Sequence, residues 1–220
     1  MGYIDRAITV AALTRLTKFH EETKQLFSRY GMDLLSDLGR RNTLMSSAQE
    51  KFFTDELQSA GFEVLSDGRP GQPDIVIADP GGSAPVEVEC KLTTRNSHGG
   101  IILQTDYTTL QRKGALDYLY VVADVDFRNF AALYFRGLTT DNFRVPSNGS
   151  RGKAGMLKHT CYDRCTVLYG KYLRLNDKHI ERLTDELRGN ITKKKRLRLE
   201  KKLEYWQASP NKFEIDLESL

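Results

Sequence analysis

The chain has 220 residues, of which 40% are hydrophobic and 28% charged, with 33 Lys/Arg against 29 Asp/Glu. That hydrophobic share supports a folded core and excludes disorder throughout; no apolar stretch is long enough to span a membrane. Three cysteines cannot make a disulfide framework. The first residues lack the apolar region of a signal peptide, and Arg6 stands where a myristoylation motif needs Ser or Thr. A reducing, cytosolic setting is the expectation. The net charge of +4 is mild, but residues 188–202 hold eight Lys/Arg and one Glu, a net of +7. A cluster of that sign suits a polyanion or a solvated helix face.

Residues 3–30 read as a helix, because Ile8, Leu13, Leu16, Phe19 and Leu26 recur at helical spacing and Gly31 is a stop. Residues 33–42 read as a short helix or turn. A second helix is expected over 47–60, with Phe52, Phe53, Leu57 and Ala60 on its apolar stripe and Gly61 at its end. The period then drops to two. Strands are expected over 62–65, 74–79 and 85–92, with turn chemistry at 66–72 (Gly68, Pro70, Gly71) and at 80–83. The second and third of these form an antiparallel hairpin. A helix over 105–116, a buried strand over 118–125 and a strand over 130–138 follow, then a loop-like stretch over 139–160. Residues 165–173 read as one more strand. Residues 177–206 read as a helical hairpin broken at Gly189-Asn190, with Ile180, Leu183, Leu187, Leu199, Leu203 and Trp206 facing inward.

The fold class is therefore α/β, a mixed central β-sheet flanked by helices. Three segments are expected within one compact unit: an N-terminal helical extension (1–45), a core (46–175) and a basic helical C-terminal extension (176–220).

The chemistry lies in Val86-Glu87-Val88-Glu89-Cys90-Lys91-Leu92. Alternate side chains of a strand share a face. Val86, Val88, Cys90 and Leu92 make a core face, and Glu87, Glu89 and Lys91 a charged row. A hairpin turning about Gly81-Gly82 pairs positions whose numbers sum to about 163 or 164, so Asp74 faces Glu89 or Cys90. Asp74, Glu89 and Lys91 then converge, although a slip of one residue would turn Asp74 to the other face. Two carboxylates that close repel unless a cation joins them, and one or two Mg²⁺ ions suit such oxygens. A lysine beside them stabilises charge on a phosphate or helps a water attack. The chemistry indicated is metal-dependent hydrolysis of a phosphodiester.

Pro73-Asp74, fourteen residues, then Glu89-Cys90-Lys91 resembles the PD-(D/E)XK nuclease signature. The surrounding order is also similar to that superfamily's core: a helix, a strand opened by Asp74, a strand closed by Glu-x-Lys, a helix and an apolar strand. The resemblance spans residues 47–125. It implies a restriction-endonuclease-like core in which Asp74, Glu89 and the main-chain carbonyl of Cys90 bind metal while Lys91 serves the water or the phosphate. Glu50 sits where many members add a glutamate from the first helix. The length and the single core look like a type II restriction endonuclease. That implies a homodimer cutting double-stranded DNA at a specific sequence, in a cytoplasm of prokaryotic or phage type, with no nucleotide cofactor and no membrane. Other nucleases of the superfamily (an exonuclease, a junction resolvase, a transposon end-cleaving subunit) and an inactive DNA-binding module are the alternatives.

Further residues read in two ways. Glu50 is a metal ligand, or it closes a capping box with Ser47. Glu87 is an outer ligand, or it pairs with a nearby Lys or Arg. Gln104 and Tyr107 enter the following helix, where they begin it or touch DNA. Lys113 is a phosphate contact or a solvated lysine, and Thr93 and Thr94 extend the active strand toward a phosphate. Residues 147–158 read as a flexible basic loop with Arg151, Lys153 and Lys158 for DNA. It is no P-loop, since Ala154 follows Gly152-Lys153. Cys161 and Cys165 near His159 make a poor zinc pattern, and Cys165 reads as core. His20 and His179 read as surface residues, and His98 as a turn residue just after the active strand. Lys193, Lys194, Lys195, Arg196 and Arg198 form a phosphate clamp or a solvated helix face, which would add affinity without sequence information.

Overall fold

Two long helices open the chain. α1 (Arg6–Arg29) starts at Asp5, whose carboxylate accepts the Ile8 amide at 2.9 Å. Ile8, Ala12, Leu13, Leu16 and His20 recur every three or four residues as its buried stripe. α2 (Leu38–Ser59) starts at Asp37, which caps the Arg40 amide at 3.1 Å. The segments expected as a short helix at 33–42 and a separate helix from 47 are thus largely one element. Its buried stripe is Arg41, Met45, Ala48, Gln49, Phe53 and Leu57, and the two polar members hide the period in the sequence. Gly61 follows the helix at a φ of +88°, a left-handed conformation that favours glycine.

The remaining elements are β1 (Ile75–Ile77), β2 (Val86–Thr94), β3 (Gln104–Asp106), α3 (Tyr107–Lys113), β4 (Leu116–Ala123), β5 (Asn129–Leu138), β6 (Lys153–Gly155), α4 (Lys158–Cys161), β7 (Cys165–Tyr169), β8 (Lys171–Arg174), α5 (Leu175–Arg188), α6 (Lys193–Ala208), β9 (Phe213–Asp216) and β10 (Glu218–Ser219). They come from a computed structural model that describes residues 3–65, 73–78, 85–95, 100–146, 152–208 and 213–220. The turns expected at 66–72 and 80–83 lie outside the described residues, as do His98 and Arg151.

The chain divides into two compact units, residues 1–171 with 216–220, and residues 172–215. The larger holds a mixed sheet in the order β1-β2-β4-β5-β10, with β7 also pairing β5. β2 and β4 run parallel, joined through α3, and the other pairs are antiparallel. Residues 63–65 add a short antiparallel contact to β1 through Val64. Every β4 position except Asp117 is buried, as expected of a strand covered on both faces. Leu119, Val121 and Ala123 meet Leu13, Leu16, Phe53 and Leu57 in one cluster on the helical side. Tyr118 and Tyr120 stack on the opposite side with ring centroids 5.6 Å apart.

The N-terminal segment is therefore no extension. α1 and the first half of α2 form one wall of the core, and a boundary at residue 45 would cut α2. The strand expected over 165–173 breaks at Gly170, which has a φ of +72°. A β-carbon there would lie 2.7 Å from both the Ala131 β-carbon and the Asp216 carbonyl, so only glycine fits. In the smaller unit, α5 and α6 form the helical hairpin expected from sequence, broken at Gly189, with Leu183 and Leu199 buried. His179 stacks on Trp206 at 4.1 Å. Among the described residues no helix is long and apolar enough to cross a membrane.

Candidate active site

β2 carries the site because its two faces differ. Val88 and Cys90 are buried against α1 and α2, which leaves Glu87, Glu89 and Lys91 on the face of Tyr118 and Tyr120. Ile75 pairs with Val88, Val76 with Glu87 and Ile77 with Val86. Extending that register by one residue sets Asp74 level with Glu89, on the same face. Asp74 Oδ2 accepts the Cys90 amide at 2.7 Å, which fixes its carboxylate over the strand. Lys91 Nζ lies 2.5 Å from Glu89 Oε1 and 3.9 Å from Asp74 Oδ2.

The ammonium of Lys91 thus stands between the two carboxylates as an internal cation. Among the described residues no three His, Cys, Asp or Glu side chains are grouped closely enough to hold a metal ion as they stand. The oxygens that a cation would need are engaged by Lys91 and by the Cys90 amide.

Glu50 belongs to the same electrostatic group. It lies mid-helix in α2, because the helix begins nine residues before Ser47 and is capped by Asp37; this removes the capping-box reading. Burial and the Asp74 charge push its carboxyl up to about 7. Burial, then the Glu89 charge, push Asp74 up to about 6. Lys91 moves the other way from most buried lysines. Burial pulls its pKa down, but Glu89 and Asp74 outweigh that and hold it above the ordinary value.

These shifts make a stability prediction. An acid whose folded pKa exceeds its unfolded one favours folding below the unfolded value, near 4.5 for Glu50, and loses that contribution as pH rises through about 7. Glu50→Gln is therefore expected to stabilise the protein at pH 8 in EDTA, by on the order of 1 kcal/mol once solvent screening of a half-buried group is allowed for. At pH 4 the variant and the wild type are expected to melt together. Melting curves at the two pH values check the sign.

A cleft of about 250 Å³ opens beside Lys91, and Thr93, Gln104, Asp106, Tyr120 and Lys153 help line it. Gln104 does not lie at a helix start. It is on β3, which pairs antiparallel with β6, setting Gln104 against Gly155 and Asp106 against Lys153. This short ribbon is missing from the sequence reading, since three-residue strands show almost no period. Lys153 is exposed on β6, within the stretch read as a flexible loop.

Several expected contacts have other partners. Lys113 Nζ lies 2.9 Å from Glu87 Oε2, so Glu87 pairs with a nearby lysine, one of its two expected roles, and Lys113 is neither solvated nor free for a phosphate. Lys158 Nζ is largely enclosed and donates to the Ile101 carbonyl at 3.1 Å. Thr94 accepts from Arg41 at 2.8 Å and donates to Asn42 Oδ1 at 3.1 Å, a structural tie at the end of the active strand. Thr93 lines the cleft. His20 is not at the surface. It is 1% exposed and stacks on Phe127 at 4.5 Å, and burial followed by the Arg41 charge pulls it down to about 4. Cys161 is buried and donates its thiol to the Leu157 and Lys158 carbonyls; burial pushes its pKa up to about 12, which opposes the thiolate that zinc needs. Lys193, Lys194, Lys195, Arg196 and Arg198 are all exposed on α6.

Comparison of the chain with protein-family models, with curated proteins and with solved structures finds no match.

Proposed function

We propose that the chain is a divalent-cation-dependent deoxyribonuclease with a PD-(D/E)XK-like site, acting on double-stranded DNA as a type II restriction endonuclease does. The observation that carries this reading is the meeting of Asp74, Glu89 and Lys91 on one sheet face, with Glu50 in electrostatic reach. The sequence of elements supports it too. A long helix precedes an antiparallel pair, and the second strand of that pair runs parallel to the strand after the next helix. The finer parts of the proposal are a restriction-endonuclease-like core, a homodimer and a cytoplasmic setting.

The donor set fits a hard cation. Asp74 and Glu89 share one face with Glu50 in electrostatic reach, and burial with their neighbours' charge raises Asp74 and Glu50, a repulsion that a hard cation would relieve. Asp74 and Glu89, with Glu50 beside them, would hold Mg²⁺, which supplies charge neutralisation at the phosphate and makes water a better nucleophile. Lys91 stays protonated at neutral pH because Glu89 and Asp74 sustain its charge. Its part is therefore to stabilise negative charge on the phosphate oxygens rather than to accept a proton. Glu50, pushed up to about 7 by burial and the Asp74 charge while no cation is bound, would give up its proton as one binds. The exposed lysines and arginines of α6 would hold the DNA backbone and make affinity fall steeply with salt.

Parallel digests of supercoiled and of linearised plasmid with Mg²⁺ test the reading. Discrete fragments are the expected result. A smear or loss from ends would mark an exonuclease, and a gel shift without cutting would mark a DNA-binding module. No cutting and no shift would end the nuclease proposal.

A further inference from the structure

We propose that the ribbon formed by β3 and β6 reads base edges, with Gln104 and Lys153 as specificity-determining residues for the nucleotides next to the attacked phosphate. The inference rests on the nuclease reading and adds where its sequence choice is made.

The placement comes first. Lys91, the group that would face the phosphate, lines the same cleft as Gln104 and Lys153. A chain whose phosphate lies at Lys91 would bring its adjoining bases to this wall. β2 itself offers Thr93 there, whereas the ribbon offers an amide and an ammonium.

Rigidity is the second observation. Base discrimination needs side chains held within a fraction of an ångström, and this ribbon is tied to the sheet from beneath. Thr105, 3% exposed, shares a hydrogen bond of 2.7 Å with the Tyr118 hydroxyl. Tyr120 donates to the Gln104 carbonyl at 2.9 Å. The Met156 amide donates to the Leu103 carbonyl at 2.8 Å, and Lys158 donates to the Ile101 carbonyl. Asp106 is engaged as the cap of α3, accepting the Thr109 amide at 2.8 Å. Because strand side chains alternate, burying Thr105 turns Gln104 outward, and Lys153 is exposed on the partner strand.

Chemistry decides the role. A neutral amide gains little from a phosphate, but its paired donor and acceptor match the N6 and N7 edge of adenine. An ammonium matches O6 and N7 of guanine. A two-stranded ribbon also has the width to enter a major groove.

The test selects bound duplexes from a pool randomised at its centre, in buffer with Ca²⁺, for the full chain and for Gln104→Ala and Lys153→Ala. Wild type is expected to enrich a motif. Each variant is expected to lose preference at its own position by about 10- to 100-fold, with its melting temperature nearly unchanged. The proposal falls if wild type enriches no sequence, or if either variant keeps the full motif or weakens all sequences alike. A motif bound by a protein that cuts nothing in Mg²⁺ would sustain the ribbon's role and end the nuclease reading instead.

Discussion

Lys91→Ala is expected to lower the rate of Mg²⁺-dependent cleavage by on the order of 10²-fold or more, with a smaller effect on DNA binding. The size follows from where the charge sits. The ammonium lies 2.5 Å from Glu89 and 3.9 Å from Asp74, is 31% exposed, and keeps its proton because those carboxylates outweigh its burial. A positive charge fixed in advance costs no reorganisation when negative charge develops on the phosphate. The same variant removes the internal cation, so in EDTA at pH 8 it is expected to melt below wild type, and added Mg²⁺ is expected to recover part of the loss. Lys91→Arg keeps charge without the compact ammonium and is expected to fall between the two. Single-turnover rates and melting curves check this series; a wild-type rate in Lys91→Ala contradicts the role.

Arg41→Ala is expected to destabilise the fold by about 3–4 kcal/mol, the largest effect of any single polar substitution in the larger unit. Arg41 is fully buried, donates to Thr94 Oγ1 at 2.8 Å, to Asn42 Oδ1 and to the Val125 carbonyl, and lies 4.7 Å over the Phe127 ring. Phe127 has a φ of +55°, unfavourable for an aromatic residue, and is held between Arg41 and the stacked His20. Removing the guanidinium takes the donor from the Val125 carbonyl and the Thr94 hydroxyl and opens space beside Phe127 at once. It also frees the end of the strand that carries Glu89 and Lys91. Arg41→Met refills the volume without the donors and is expected to cost less. Urea melts of the three proteins decide the matter, and equal stability in all three would show that the network contributes nothing.

The site was largely legible because its information is local. Period two in 86–92 sets Glu89 and Lys91 on one face, and the hairpin register expected from the sequence, with paired numbers summing to about 163, agrees with the pairing of Ile75 with Val88. Arg41 was not legible, because a buried arginine reads as a surface residue until its distant partners Thr94 and Val125 are known. The same holds for Gln49, which occupies a buried stripe position on α2 and disguises it. Lys113 and Lys158 read as free cations by composition, and only tertiary packing gives them Glu87 and the Ile101 carbonyl. The β3–β6 ribbon joins residues about fifty apart over three positions each, too short for any periodicity to announce.

The most direct measurement is proton release during titration with Mn²⁺ in weakly buffered solution. Glu50 titrates near 7 and Asp74 near 6, so at pH 6.5 both hold protons part of the time in the cation-free protein. A divalent ion seated among them must displace those protons. Release of about one proton per ion is expected at pH 6.5, fading by pH 8.5 and reduced in Glu50→Gln and in Asp74→Asn. Binding with no proton release, or release unaltered in both variants, would contradict a cation site at these carboxylates.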